Sequence, residues 1–371
     1  MNKQDRARLL AFSTAAVAGL LLGAPDASAA GISADGFPAS VPKATCGAGD
    51  HTESGLQGET TVQERFSGDS ERAYNCNLEL VGIEPQDVYQ GGYSQDGPAY
   101  DGDCAYYGTD RAATLQGIKV IDASDPAHPV VTAHLTDTPA ALSPHETVTT
   151  SEKTHILVAA QSGGANVAVY DTSDCRHPVL KSSIQLSNDS GHMAFMSPDG
   201  KTYYLSDNRN LTSGPGGFLH VVDVSDPSNA RELMDTVFPG VVGAAHSFNV
   251  NPQGFSPGLA EGTRLYVGQF GEYPYIRPDG LVIQDISDYQ YRRPNPQART
   301  ISTLFWTDSG GGESMIPIKI KGHPYLVSTD EAGGAGGAGG WDVACARGAS
   351  AFGYPQIIDV ATSCIRRSSP S

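Results

Sequence analysis

The chain has 371 residues, with 41 acidic and 24 basic side chains and a formal net charge of −17. This acidic balance argues against binding to nucleic acids or to anionic membranes, because both interactions need basic patches. The length would suffice for two domains, but the repeat described below favours one.

The first thirty residues predict a secretory signal peptide. Lys3, Arg6 and Arg8 precede an apolar run from Leu9 to Ala24, and the small residues 27–29 suit cleavage. The apolar run is short for a membrane span, although an uncleaved anchor is the alternative. No later segment is apolar for long enough to cross a bilayer. We therefore expect a secreted or cell-envelope protein, with residues 1–30 removed, that is a monomer.

All six cysteines lie in the part expected to be exported, where disulfide bonds form. Six cysteines allow fifteen pairings, and none belongs to a CxxC motif. The N-terminal loops contain little apolar sequence to hold them, which favours a bond between Cys76 and Cys104 and a second bond that involves Cys46. The alternative is that some cysteines are free, buried thiols. The six are Cys46, Cys76, Cys104, Cys175, Cys345 and Cys364.

A phrase that begins at residue 117 recurs along the rest of the chain. GIKVIDASDPAHPV is followed by NVAVYDTSDCRHPV, FLHVVDVSDPSNAR, GLVIQDISDYQYRR and a shorter YPQIIDVATSC. A period of this length is typical of propeller blades and repeat arrays. Because the shared aspartate stands before a turn, we expect it to fix the turn by hydrogen bonds to backbone N–H groups, not to act in catalysis. The repeat aspartates are Asp122, Asp171, Asp223, Asp285 and Asp359, with spacings of 49, 52, 62 and 74 residues.

One repeat unit, residues 145–186, predicts four short strands separated by turn residues. The inner strand is expected at Glu146–Thr150, the second at His155–Ala160, the third at Asn166–Tyr170 and the outer strand at Val179–Leu186. The next unit, which begins HMAFMSPDGKTYYLSD, divides in the same way. No stretch after the signal peptide shows a convincing helical period. The unit is therefore typical of a four-stranded antiparallel blade.

The phrases VIDASDPAHPV, VYDTSDCRHPV and VVDVSDPSNAR resemble the LVIVD repeat of exported bacterial β-propellers. The resemblance extends from about Asn77 to Asp359, and the SPDG phrase is also similar to the YVTN-type propeller repeat. It implies a β-propeller fold. It implies no particular activity, because most members of the family have no assigned function.

We accordingly predict an all-β protein with one β-propeller of four-stranded blades at residues 73–371, after an irregular segment at residues 31–72. Five repeats and the N-terminal segment predict about six or seven blades if the ring closes. The chain ends twelve residues after Asp359, where an outer strand and further blades are expected. An open ring would expose strand edges. Two alternatives remain: N-terminal strands complete the last blade, or the sequence is truncated at its C-terminal end.

One polar residue begins each presumed inner strand, about two dozen positions after the repeat aspartate. Equivalent positions in successive blades converge on the central channel, where three imidazoles and a carboxylate would suit a transition metal. Glu146 is then the candidate catalytic base or the partner of a metal ligand. The four residues are His145, His192, His246 and Glu313, at offsets of 23, 21, 23 and 28 residues.

This arrangement resembles the general plan of the carotenoid cleavage oxygenases and the selenium-binding protein family, in which blade histidines hold a metal. No sequence motif is shared with them. The alternative is that each histidine bonds to the backbone of a neighbouring blade and binds no metal, as is common in YVTN-like propellers.

Asp330 and Glu331 end a strand just before the glycine-rich stretch at residues 332–340. These carboxylates are candidates for contact with a ligand or Ca²⁺, and simple solvation is the alternative. The glycine-rich stretch lacks the Lys and Ser or Thr of a phosphate-binding loop, so we expect a flexible flap or linker.

Two functions are compatible with these features. The first is an exported propeller that binds an extracellular or cell-envelope ligand, namely a protein, peptide or glycan, on one face of the disc. The second is a metal-dependent enzyme, an oxidoreductase, lyase or hydrolase, with a histidine-rich site at the central channel. The sequence contains no GxSxG or HExxH motif, and the fold alone does not decide whether the protein is an enzyme.

Overall fold

A computed structural model describes eleven ranges of the chain. They are residues 45–52, 61–69, 75–84, 99–109, 116–189, 193–207, 218–237, 244–270, 279–306, 312–330 and 355–362. The predicted signal peptide, His192, Glu331, the stretch at 332–340, Cys345 and Cys364 lie outside these described residues.

In these ranges the strands form five antiparallel sheets. The first contains β1 (Ala99–Asp101), β2 (Cys104–Gly108), β3 (Ile118–Asp122) and β4 (Val130–Leu135). The second contains β5 (Thr149–Ser151), β6 (Ile156–Ala160), β7 (Asn166–Asp171) and β8 (Val179–Gln185). The third contains β9 (Ala194–Met196), β10 (Thr202–Asp207), β11 (Phe218–Asp223) and β12 (Arg231–Val237). The fourth contains β13 (Ala244–Val250), β14 (Arg264–Phe270), β15 (Asp279–Asp285) and β16 (Arg299–Trp306), and the fifth contains β17 (Gly312–Ile320), β18 (His323–Asp330) and β19 (Gln356–Asp359).

The few helices in the described part of the chain are short. They are α1 (Val62–Ser67), α2 (Pro139–Leu142), α3 (Ser287–Gln290) and a single 3₁₀ turn at Pro227–Asn229. α1 falls inside the segment predicted to be irregular, where Thr61 and Glu64 form a reciprocal capping box. Among the described residues, no helix has the length and apolar character needed to span a membrane.

Every sheet runs as a meander in chain order, and neighbouring sheets meet through their first strands. β1 contacts β5, β5 contacts β9, β9 contacts β13, and β13 contacts β17. Sheets arranged radially with the first strand innermost are the blades of a β-propeller, so the predicted fold is confirmed. The described residues contain five of the predicted six or seven blades, and the fifth has three strands there.

The hydrophobic core lies between blades. Because side chains alternate across a strand, β6 sends Ile156 and Val158 toward the third blade and Leu157 and Ala159 toward the first. Four apolar clusters arise in this way, one for each pair of consecutive blades. Strands buried on both faces explain the continuous apolar runs of the sequence.

Each repeat aspartate ends the third strand of its blade and holds the turn that follows, as the sequence predicts. In all five blades, Oδ1 of the aspartate accepts a hydrogen bond from the backbone N–H two residues ahead. The donors are Ser124, Ser173, Ser225, Ser287 and Ala361, at 2.9, 2.9, 3.1, 3.0 and 3.0 Å.

Two of these aspartates also bind an arginine from the next blade. Arg176 donates to Asp122, and this hydrogen bond holds the pKa of Asp122 well below its usual range. Arg292 donates to Asp223 at 2.9 Å and to the carbonyl of Lys201 at 2.7 Å. Burial raises the pKa of Asp223, but the hydrogen bonds from Arg292 and Ser225 outweigh it and bring the pKa down to about 2. The turn aspartates therefore also fasten consecutive blades.

The disulfides differ from the predicted pairing. Cys46 is bonded to Cys76, which confirms a bond that involves Cys46, but the predicted Cys76–Cys104 bond is wrong. Cys104 on β2 is bonded instead to Cys175, in the turn after β7 of the second blade. The packing of two blades brings these two residues together across 71 positions of sequence, which the N-terminal composition does not reveal. Both bonds are compatible with an oxidising, extracytoplasmic environment.

Replacement of Arg292 by Met should lower the free energy of unfolding at pH 7 by about 2 kcal/mol, because Asp223 loses a charged hydrogen-bond donor. The depressed pKa of Asp223 contributes stability above pH about 4, and that contribution is lost as the pH falls toward about 2. The difference between wild type and R292M should therefore be smaller at pH 3 than at pH 7 in urea unfolding.

The neighbouring variant Arg293→Met is the control. Its guanidinium is 56% exposed, against 28% for that of Arg292, and it pairs with Asp288 of its own blade. Arg299 remains beside Asp288 in this variant, as Arg231 remains beside Asp223 in R292M. Its effect should stay below about 1 kcal/mol. Equal losses for R292M and R293M would contradict a specific role for Arg292 between blades.

Candidate functional site

The meander places two kinds of connection on opposite faces of the disc. Turns from first to second strands and from third to fourth strands share one face, which we call the repeat-turn face. Inner strands begin on the other face, which we call the inner-start face. Second strands end and third strands begin there too, and residues 208–217, 271–278 and 331–355 separate these strands in the third to fifth blades.

His145 and Glu146 lie on the inner-start face, before the inner strand of the second blade. β5 begins at Thr149, later than predicted, and Glu146 forms an isolated parallel bridge with Met193 of the third blade. His145 adopts a left-handed backbone conformation with φ of 48°, which is uncommon for a residue other than glycine and is often found at functional sites. Nε2 of His145 lies 3.6 Å from Oε1 of Glu146, and Glu146 is only 6% exposed.

Hydrogen bonds within the second blade and from the third blade fix the segment that carries these two residues. The hydroxyl of Thr147 donates to the carbonyl of Pro144 at 2.6 Å and lies 2.7 Å from the carbonyl of Ala160 on β6. The buried hydroxyl of Tyr203, in the third blade, donates to the carbonyl of Thr147 at 2.8 Å. His145 and Glu146 are thus carried by a segment fixed to two blades, which favours a rigid site.

The bridge from Glu146 leads to Met193, the residue that follows the next candidate, His192, in the chain. The backbone N–H of Met193 donates to Oγ of the buried Ser206 at 2.8 Å. His192 itself lies outside the described residues. Met193, the next residue in the chain, begins the third blade directly beside Glu146.

His246 and Glu313 occupy equivalent places in the fourth and fifth blades. In β13, Ala245 pairs with Gln269 and Ser247 with Gly268, so His246 is the extra residue of a β-bulge. In β17, Gly312 pairs with Asp330 and Ser314 with Thr329, so Glu313 is likewise the extra residue. β-bulges recur beside functional sites because they change the direction of a side chain.

The same register places the predicted ligand-contact residue Asp330 beside Glu313. Asp330 is the last residue of β18 and pairs with Gly312, directly before the bulge. Glu313, predicted to bind a metal, and Asp330, predicted to contact a ligand, therefore lie at one end of the fifth blade.

Two buried polar residues on this face do not follow from the repeat. Ser206 and Gln269 lie near the ends of the second strands β10 and β14, and both are fully buried. A polar residue inside an otherwise apolar second strand, as in YYLSD and LYVGQF, is the sequence signal that marks them. They place polar side chains next to the starts of the inner strands.

Other notable features of the described residues lie away from this candidate site. The group Cys46, Asp50 and Cys76 has metal-ligand spacing, but the disulfide leaves no thiolate to bind an ion. A cavity of about 230 Å³ lies between the outer strands of the fourth blade and β19, lined by Leu281, Leu304 and Ile358 among others. On the repeat-turn side, Asp101 accepts a hydrogen bond from the hydroxyl of Thr172 and contacts His155, and both contacts join the first two blades.

Comparisons with known proteins agree with this architecture. The LVIVD repeat matches residues 216–235, so the expected resemblance is confirmed and the chain is a β-propeller that carries an LVIVD repeat. A search of the curated proteins found no match.

Similar solved structures are distant in sequence. Hydrazine synthase of Kuenenia stuttgartiensis is 13% identical with a TM-score of 0.44, and the match covers 69% of this chain and 59% of that one, less than two thirds of its length. The periplasmic gluconolactonase of Pseudomonas aeruginosa is 15% identical with a TM-score of 0.41, with 73% and 70% covered. A protein of Bacteroides uniformis described as a 6-phosphogluconolactonase is 14% identical with a TM-score of 0.42, with 71% and 74% covered. These similarities assign no function.

Proposed function

We propose that this protein is an exported β-propeller that binds a protein, peptide or glycan ligand on its inner-start face. The observation that carries the proposal is a structural difference between the two faces of the disc. Turn aspartates hold the reversals of the repeat-turn face through hydrogen bonds to backbone N–H groups. The longest connection between consecutive strands of one blade, residues 331–355 of the fifth blade, joins strands whose adjoining ends lie on the inner-start face.

The chemistry of the inner-start face suits a polar ligand. Glu146, Ser206 and Gln269 are buried polar residues there, and Asp330 ends β18 at the same face. Rigid blades that present variable connections are typical of binding surfaces, because a fixed scaffold reduces the entropy lost on binding.

Glycan and peptide arrays probed with the labelled mature protein test this proposal. For a ligand found in this way, the double variant Asp330→Asn, Glu331→Gln should weaken binding at least about tenfold, which corresponds to about 1.4 kcal/mol. The reason is that these two carboxylates are proposed to contact the ligand, and the substitutions remove their charge but preserve side-chain volume.

The control variant is His128→Ala with His177→Ala. Both imidazoles are exposed, at 81% and 67%, and both belong to turns of the repeat-turn face. Binding should be unchanged. A ligand lost in this control and retained in the Asp330 and Glu331 variant would contradict the proposed face, and so would a protein that binds nothing on either array.

A metal-dependent enzyme is the second candidate function, and the backbone register favours it specifically. The Glu146–Met193 bridge and the bulges at His246 and Glu313 fall at the starts of consecutive inner strands. Three imidazoles and one carboxylate are donors that zinc, copper, iron and manganese accept. In this reading His145, His192, His246 and Glu313 hold the metal, which would supply Lewis-acid or redox chemistry, and Glu146 acts as base or orients His145.

Metal analysis tests this second candidate. The mature protein, reconstituted separately with copper, iron, zinc and manganese, should retain about one equivalent of one metal after dialysis. The separate variants His192→Ala and His246→Ala should each lose it, because each removes one of four ligands.

The exposed pair His128→Ala, His177→Ala again provides the control and should keep its metal. A wild-type protein without stoichiometric metal after all four reconstitutions would rule out the enzyme in this form. The face-binding proposal would be untouched by that result.

A further inference from the structure

The cavity between the fourth and fifth blades has both apolar and polar walls. Its volume is about 230 Å³. The apolar walls belong to the cluster between these two blades, and they include Leu281 and Ile283 of β15 and Ile358 of β19. The polar lining residues include Ser302, Thr303 and Asp359. Ligand pockets usually have about 300–1,000 Å³, so this cavity suits a compact ligand with few ring or chain atoms.

The cavity is apolar toward one end and charged at the other. Leu281 pairs with Leu304 across two strands, four residues before the end of β15 at Asp285. Asp359 ends β19, and third strands end on the repeat-turn face. Because the third strands of consecutive blades run in the same direction, the charged end lies at the repeat-turn face and the apolar end lies toward the inner-start face. A ligand with one polar and one apolar part matches this order.

Asp359 differs from the other repeat aspartates in its partners. Its described contacts both fall on Oδ1, which accepts a hydrogen bond from the backbone N–H of Ala361 and lies near Nε2 of His323, each at 3.0 Å. No residue in the described ranges contacts Oδ2 of Asp359. Each of the other four aspartates instead has a lysine or arginine nitrogen at 3.7 Å or less. These pairs are Asp122 with Arg176, Asp171 with Lys181, Asp223 with Arg292 and Asp285 with Arg264.

The carboxylate of Asp359 is charged and accessible. The hydrogen bond from Ala361, together with that from His323, holds the pKa of Asp359 below its ordinary value. The side chain of Asp359 is 61% exposed, so a ligand can reach it. The described residues that line the cavity include no lysine or arginine. The electrostatic potential of the cavity therefore favours cations over anions.

We propose that this cavity binds a small organic amine, whose ammonium group pairs with Asp359 and whose compact apolar group lies between Ile283 and Ile358. The ammonium group takes the place that a lysine or arginine holds at the other repeat aspartates. The apolar walls provide most of the affinity, because an exposed ion pair contributes little by itself. The carboxylate selects a cation over neutral and anionic ligands of the same shape. Binding here is independent of ligand binding at the inner-start face.

Three probes that share one ring and differ in charge test the proposal. Isothermal titration calorimetry of the mature protein should show saturable binding of about one equivalent of benzylamine. Benzyl alcohol should bind at least about threefold more weakly, because it lacks the charge that pairs with Asp359. Benzoate should not bind measurably. Equal binding of the alcohol and the amine, or no saturable binding of the amine, would overturn the proposal.

Two variants locate the site. Asp359→Asn should weaken benzylamine binding at least about threefold, since the amide loses the charge and keeps an oxygen that can accept from Ala361. Ser302→Leu should abolish binding, because the larger side chain fills the cavity. Asp171→Asn makes the same change at the repeat aspartate of the second blade and should leave binding unchanged. Binding retained in both D359N and S302L, or lost equally in D171N, would overturn the proposal.

A lysine side chain carries the same ammonium group and is the other source of this chemistry. Nα-acetyl-lysine methylamide should bind more weakly than benzylamine, because it lacks a compact apolar group beside the charge. Tighter binding of this lysine probe would assign the site to a peptide and overturn the assignment to a small amine. Benzylamine binding that appears only in the double variant Arg366→Gln, Arg367→Gln would mean that arginines of this chain fill the site, and would also overturn it.

Discussion

Contact between consecutive blades is the constraint on which the rest of this structure depends. Each apolar cluster is built from two neighbouring blades, so no blade can bury its faces alone. Polar contacts reinforce the same interfaces. The Cys104–Cys175 bond joins the first two blades, and Arg292 fastens the fourth blade to the turn of the third.

The order of the inner strands follows from this packing, and the candidate site follows from the inner strands. Because blades stack through β1, β5, β9, β13 and β17, the residues that begin those strands share one face. The Glu146–Met193 bridge brings two of these starts together, and the bulges at His246 and Glu313 lie near the starts of two more inner strands. The repeat aspartates end the third strands on the opposite face, which leaves them to hold turns and arginines.

The sequence predicts the repeating part of this architecture well. The role of Asp122 and its equivalents depends on contacts within two residues, and local contacts can be read from a short phrase. The all-β meander follows equally from short apolar runs between turn residues. β5 begins later than predicted because the side chain of Thr147 bonds to the carbonyls of Pro144 and Ala160. The alternation of residues along the strand does not reveal this local arrangement.

Features that depend on two blades at once could not be predicted. Cys104 meets Cys175 only after the first blade packs on the second, so composition of the N-terminal loops pointed to the wrong partner. The bulges at His246 and Glu313 appear only in the strand register. The bridge between Glu146 and Met193 and the hydrogen bond from Tyr203 to Thr147 likewise form only when the following blade packs against the second.

A crystal structure of the mature protein would test the central claim most directly, which is that consecutive inner strands begin around one point on one face. The account predicts that the imidazoles of His145, His192 and His246 and the carboxylate of Glu313 surround the central channel, whether or not an ion binds there. The account would be contradicted if these four side chains pointed into separate interfaces between blades, away from a common channel.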